Sequence, residues 1–190
     1  MDLHLSGKRI LITGASKGIG YAVAEAFAQE GCHLRLVARS ENALALAARE
    51  LHAAYGVDVQ FQPLDLANRE SAAELPALCE DIDVLVNNAG LGGTAQLHEM
   101  TDEQWSIVLD VTLNGTMRCT RAALNHMYPR GTGVIVNNAS VLGWRAQEGQ
   151  AHYAAAKAGV MALTRCAAIE AGPRGVRINA VSPSIAMHAN

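Results

Sequence analysis

Six short apolar runs, separated by stretches with a helical period, occupy nearly the whole chain. Arg9–Thr13, His33–Ala38, Val57–Gln62, Asp83–Asn87, Gly133–Asn138 and Val176–Val181 read as strands. Residues 18–30, 41–55, 68–80, 102–127 and 151–171 read as helices between them. Ser40 and Thr101 stand where N-caps belong, with Glu103 or Gln104 placed to complete a capping box, and Gly56 stands past a helix end. Asn68 stands as a cap before residues 68–80, where Pro76 is the weak point. Strands joined through helices must lie parallel, and a parallel sheet needs helices on both faces. The expected fold is α/β: a doubly wound parallel sheet in three αβα layers, one domain over 1–190. The run at Val57–Gln62 alternates apolar and polar residues, which suits an edge strand with one wetter face.

Composition narrows what such a domain binds. Half of the 190 residues are hydrophobic and 17% are charged, enough for one core and too apolar for disorder. A net charge of −3 and 4% aromatics supply neither a broad basic face nor a stacking platform, which argues against nucleic acid. The cysteines at 32, 79, 119 and 166 form no CxxC pair, so reduced and mostly buried thiols are expected rather than disulfides or a metal site. The start Met1-Asp2-Leu3-His4-Leu5 has no signal-peptide pattern, and no run of ~18 apolar residues exists to span a membrane. A cytoplasmic location is expected.

Thr13-Gly14-Ala15-Ser16-Lys17-Gly18-Ile19-Gly20 joins the first strand to the first helix. Its GxxxGxG spacing differs from GxGxxG, but the physical need is similar. A tight turn requires residues without Cβ, and free N–H groups at a helix start attract a pyrophosphate. The second strand ends in Val37-Ala38-Arg39-Ser40, with no carboxylate to hold a ribose 2′-hydroxyl. Arg39, with Lys17 in the glycine turn, can instead grip a 2′-phosphate, which favours NADP(H) over NAD(H). Asp65, after the third strand, can accept from an adenine amino group or cap the next turn. Asn87, in Asn87-Asn88-Ala89-Gly90, can bond the strand ends or a ligand.

Tyr153 and Lys157 stand four apart on a predicted helix and so share a face. A lysine ammonium beside a phenol favours phenolate and lowers its pKa, tuning it for proton transfer. Ser140, closing the fifth strand, can hydrogen-bond a substrate oxygen.

TGASKGIG at 13–20, NNAG at 87–90, Ser140 and YAAAK at 153–157 together resemble the short-chain dehydrogenase/reductase family, near the 3-oxoacyl-carrier-protein reductases. The resemblance implies a Rossmann-type sheet of order 3-2-1-4-5-6, followed by a substrate cover and a seventh strand that this sequence, ending at Asn190, lacks. It implies hydride exchange between the nicotinamide and a carbonyl or secondary alcohol, and no metal. Ser140 would orient the oxygen, Tyr153 would be the general acid/base, and Lys157 would bind the nicotinamide ribose. Cofactor contacts would come from Gly14, Ser16, Lys17, Gly18, Ile19, Gly20, Arg39, Asp65, Leu66, Asn87, Ala89, Gly90, Tyr153, Lys157, Pro183 and Ala186.

Three positions depart from the family pattern. Thr112 stands where the catalytic asparagine is expected, and its hydroxyl is placed to hold a proton-relay water; Asn114 points to another helix face. Ser184 follows Pro183 in place of glycine, and His188 replaces a threonine that meets the carboxamide. The stretch from NNASVLGWRAQ to the end of the 151–171 helix resembles a bacterial branch acting on coenzyme A thioesters from steroid-ring breakdown. A small carbonyl or alcohol substrate is therefore expected, with acyl thioesters included. The apolar sides of that helix, such as Ala154, Ala158 and Met161, suit pairing into a homodimer or homotetramer, or simple burial. The alternative to an enzyme is a shortened, non-catalytic nucleotide-binding or interaction protein. A methyltransferase on a related sheet would explain the glycine turn but not YxxxK with Ser140.

Overall fold

A computed structural model describes residues 3–184. Six strands, β1 (Arg9–Thr13), β2 (His33–Ala38), β3 (Val59–Pro63), β4 (Val84–Asn87), β5 (Gly133–Asn138) and β6 (Val176–Val181), form one sheet. Their order is β3-β2-β1-β4-β5-β6, and every pair is parallel. This is the doubly wound arrangement the alternating pattern predicts, with β3 on an edge.

Successive residues of a strand face opposite ways, and the core divides accordingly. Ile10 and Ile12 of β1 join Leu34, Leu36, Val84 and Val86 in one cluster. There they meet Ala24 and Ala28 of α1 (Gly18–Gln29) and Leu44 and Leu51 of α2 (Glu41–Tyr55). Leu11, Leu85 and Ile135 point to the other face. That layer holds α3 (Leu75–Leu78), α5 (Gly115–Arg130) and α6 (Ala151–Ala171), through Leu75, Cys119, Ala123, Met127 and Ala167. The small residues on α1 and α6 let helix backbones come close to the sheet. Ser40 caps α2 by accepting from the Ala43 N–H at 3.4 Å, and Gly56 ends it in the left-handed conformation. Thr101 and Gln104 form a full capping box on α4 (Asp102–Leu109).

Three expected boundaries are corrected. Residues 68–80 are not one helix: a 3₁₀ turn at Ser71–Glu74 precedes the four-residue α3. Pro76 has no N–H to give, so it sits in the first turn of α3, and Asn68 instead accepts from the Glu70 N–H in a local turn. The stretch 102–127 is α4, a π-helical turn at Asp110–Asn114, and α5, which runs on to Arg130 before Gly131 stops it. The third strand starts at Val59 rather than Val57, and Phe61 stays 36% exposed on the sheet edge. Cys32, Cys79 and Cys119 are free and buried, and Cys166 is free and exposed. Among the described residues no helix is long and apolar enough to cross a membrane, and no metal-ligating cluster occurs.

Candidate active site

The carboxyl ends of β1 and β4 meet at the glycine turn. Gly14 and Gly18 take positive φ, +66° and +58°, a conformation side chains resist. Thr13 Oγ1 accepts from the Asn88 and Ala89 N–H groups, both at 3.0 Å. Asn88 Nδ2 donates back to the carbonyls of Thr13 (3.1 Å) and Gly14 (3.3 Å). Above these strand ends lies a cleft of about 970 Å³. Of the residues expected to hold a cofactor, Gly14, Ser16, Lys17, Gly18, Arg39, Asp65, Leu66, Ala89 and Gly90 line it. Lys17 and Arg39 are both exposed there.

A smaller recess of about 270 Å³ adjoins it and shares Lys17, Asn88 and Gly90. Ile19, Gly20, Tyr153 and Lys157 line the recess. Ser140 follows β5, where its Oγ accepts from the Leu142 N–H at 3.2 Å and stands close enough to the Tyr153 phenol to lower its pKa. Lys157 is buried, with Nζ 5.6 Å from the Tyr153 ring centre and 2.5 Å from the Asn138 carbonyl. The three side chains that sequence alone pairs only by spacing thus converge at one end of the cleft.

Their electrostatics differ from expectation. Burial pushes the Tyr153 phenol above its ordinary range, and the Ser140 hydrogen bond opposes this without reversing it. Lys157 donates to the Asn138 carbonyl, and the expected downward pull on the phenol does not appear. Burial lowers Lys157 itself to about 8. Lowering a lysine from 10.5 to about 8 corresponds to roughly 3 kcal/mol against the folded charged form. That cost is full below pH 8, where both folded and unfolded chains carry the proton. It disappears as pH rises toward 10.5, so this group makes stability increase over that window. Lys157→Met removes the buried charge but leaves the Asn138 carbonyl without its donor. We expect a net gain of about 1–2 kcal/mol at pH 7, and loss of the alkaline rise. Thermal melting of the protein at pH 7 and 9.5 checks this; a lower midpoint for the variant at pH 7 refutes it.

Two expected roles are corrected. Thr112 lies fully buried in the π turn, outside both cavities. Its Oγ1 accepts from the Leu91 N–H at 3.1 Å and donates to the Leu91 carbonyl at 3.5 Å. The hydroxyl is thereby committed to fixing the loop after β4 and is not held out to a relay water. Asn87 is also buried: it continues the pleat of Leu85 into the α5 layer. Its Nδ2 donates to Thr120 and Asn137, and Asn137 donates on to Thr164 of α6. Asn88, on the opposite face, is the asparagine that borders the cleft. Strand alternation was the signal that could have separated the two.

Asp65 makes a local turn by accepting from the Ala67 N–H at 3.0 Å while still lining the cleft. Asn114 binds Asp110, away from Thr112. The Pro183 carbonyl accepts from the Val141 N–H, which fixes the turn beyond Ser140. Ala186 and His188 lie outside the described residues. Sequence reasoning missed Asn138, which lines the recess, and Arg118. The buried Arg118 guanidinium donates to the Leu66 carbonyl at 2.8 Å and supports the cleft's far wall.

A parallel sheet with a glycine turn at its first strand–helix junction, and Ser, Tyr and Lys gathered at the same strand ends, defines a dinucleotide-binding oxidoreductase fold. The model of the short chain dehydrogenase family matches residues 8–188, and the chain belongs to that family. It is 52% identical to a (5R,7aS)-5-hydroxy-7a-methyl-1-oxo-2,3,5,6,7,7a-hexahydro-1H-indene-carboxyl-CoA reductase of Mycobacterium tuberculosis, over 97% of this chain and 72% of that protein. It is 37% identical to the 3-oxoacyl-[acyl-carrier-protein] reductase FabG of Escherichia coli, over 95% of this chain and 74% of that one. Among solved structures, a short chain dehydrogenase from Mycobacterium smegmatis matches with a TM-score of 0.89 and 49% identity, covering 96% of this chain and 79% of its own. An L-sorbose reductase from Gluconobacter frateurii, complexed with NADPH and L-sorbose, matches with a TM-score of 0.92 and 35% identity, covering 96% and 71%.

Proposed function

We propose that this chain is an NADP(H)-dependent reductase of small carbonyl compounds, working by Ser140, Tyr153 and Lys157. The observation that carries the proposal is their convergence. Tyr153, beside Ser140 and flanked by a buried lysine, lines the recess that adjoins the cleft at the glycine turn. The residues present fit a dinucleotide. Gly14 and Gly20 leave a cradle that a Cβ would fill, and two exposed cations, Lys17 in the turn and Arg39 after β2, line the cleft. Gly14, Ser16, Gly18 and Gly20 would take the pyrophosphate, Lys17 and Arg39 a 2′-phosphate, and Lys157 the nicotinamide side. When bound, NADPH supplies a hydride to the carbonyl carbon. Tyr153, protonated at neutral pH, gives its proton to the carbonyl oxygen as negative charge builds there. Ser140 holds that oxygen in place by a hydrogen bond. Lys157, charged below about pH 8, stands with its Nζ 5.6 Å from the phenol ring centre and would hold the nicotinamide ribose.

Two of the relatives are by name reductases of a carboxyl-CoA and of a 3-oxoacyl-[acyl-carrier-protein], and L-sorbose reductase by name acts on a sugar ketone. The class proposed here is a ketone, including one carried on a coenzyme A thioester. Ile169, 78% exposed on α6, supports pairing of two copies along that helix.

The test is NADPH titration followed by turnover with a panel of ketones and 3-oxoacyl thioesters, on the wild type and Arg39→Ala. Arg39→Ala should weaken NADPH roughly 10- to 100-fold and leave NADH within about twofold, because only NADPH carries the 2′-phosphate. Equal losses for both remove the phosphate role from Arg39. NADPH binding with no turnover across the panel favours the non-catalytic alternative.

A further inference from the structure

Backbone pairing between β4 and β5 stops at Asn87 opposite Asn137. The next pair, Asn88 and Asn138, is joined by side chains instead. Asn138 Nδ2 donates to Asn88 Oδ1 at 2.8 Å. Asn88 uses its own Nδ2 on the carbonyls of Thr13 and Gly14, so its carboxamide is anchored on the glycine turn. The main-chain oxygen of Asn138 takes the Lys157 ammonium at 2.5 Å. One residue therefore touches both ends of the site. Its side chain reaches the turn that opens the cleft, and its carbonyl reaches the lysine at the recess.

The physical need is specific. On its β6 side the Asn138 peptide is held by the Ala139 N–H, which donates to the Val181 carbonyl at 2.8 Å, whereas on its β4 side, toward the glycine turn, no backbone rung continues. Any residue at 138 supplies the carbonyl. A side-chain donor reaching Asn88 adds the direct link from that residue to the glycine turn.

We propose that Asn138 is a positioning residue that sets Lys157 relative to the glycine turn, through its carboxamide bond to Asn88. This rests on the NADP(H) reading above. Asn138→Val keeps strand preference and the carbonyl but removes the donor to Asn88 Oδ1. NADPH should then bind about 5- to 10-fold more weakly, and kcat should fall about tenfold, since small misplacements near the chemistry are costly. Affinity for 2′,5′-ADP, which carries no nicotinamide half, should stay within about twofold. The double variant Asn88→Ala/Asn138→Val should lose no more than Asn88→Ala alone, because the two side chains act as one link. Asn138→Thr, the same size as valine with a hydroxyl donor kept, should recover part of the loss. It also serves if the valine variant does not fold.

Fluorescence titration with NADPH and with 2′,5′-ADP reads all of this. Unchanged NADPH affinity in Asn138→Val overturns the proposal. So do equal losses for both ligands, which mean general damage to the cleft, and so do losses that multiply in the double variant. A wild type that binds no NADPH instead sinks the cofactor reading and takes this link down with it.

Discussion

Tyr153→Phe should lower carbonyl reduction by at least about a thousandfold while leaving NADPH affinity within about threefold. The substitution deletes one oxygen and keeps the ring. The contact between Lys157 Nζ and the ring, at 5.6 Å, survives, as does the packing of the first turn of α6. What goes is the phenol proton at the recess. Ser140 cannot replace it: a hydroxyl is too weak an acid, and its Oγ is already tied to the Leu142 N–H. Lys157 holds the Asn138 carbonyl. The direction of the Tyr153 shift adds a pH signature. With the phenol pushed up by burial, the acid form persists across neutral pH. Reduction should then stay level through neutrality and fall only in alkali, whereas the reverse oxidation, which needs phenolate, should climb with pH. Single-turnover loss of NADPH absorbance measures the variant and the wild type on equal footing. A phenylalanine variant within tenfold of wild type would remove the phenol from the mechanism.

The same residues show where sequence reading succeeds. Alternation of strand and helix periods runs along the chain, so the parallel sheet and its layers were legible from the apolar runs, while the strand order came from the family resemblance. The glycine turn and YxxxK were legible because each rests on local geometry: φ at Gly14 and Gly18, and one helix face for Tyr153 and Lys157. Failures came where a local rule met a tertiary demand. Residues 68–80 have helical composition, yet Pro76 can occupy only a first turn. The helix over 102–127 hides a π turn that a period of 3.6 does not reveal, and that turn buries Thr112 against Leu91. The Tyr153 shift depends on how deeply the ring sits, a quantity no spacing encodes. Asn138 and Arg118 escaped notice for a similar reason: their partners, Asn88 and the Leu66 carbonyl, are 50 and 52 positions away.

Gly20→Ala should be the most damaging single methyl group in the turn. A Cβ at Gly20 would stand 2.2 Å from the Gly14 carbonyl oxygen and 2.6 Å from Asn88 Nδ2. Neither neighbour can give way cheaply. The first is backbone of the turn itself, and the second is clamped to Thr13 and Gly14. Either α1 moves off the sheet or the turn opens, and in both cases the turn that lines the cleft is displaced. Overpacking of this kind costs about 1–3 kcal/mol in stability and occasionally more. NADPH affinity should fall by at least about a hundredfold, because the pyrophosphate cradle itself is displaced. Gly18 is the control within the same motif. A Cβ there meets nothing within 4 Å, and only its φ of +58° resists substitution. Gly18→Asn, which tolerates that conformation, should therefore keep NADPH affinity within about tenfold. Melting and NADPH titration of the two variants side by side decide the matter. If Gly20→Ala binds as tightly as Gly18→Asn, close packing at residue 20 is not what the turn requires.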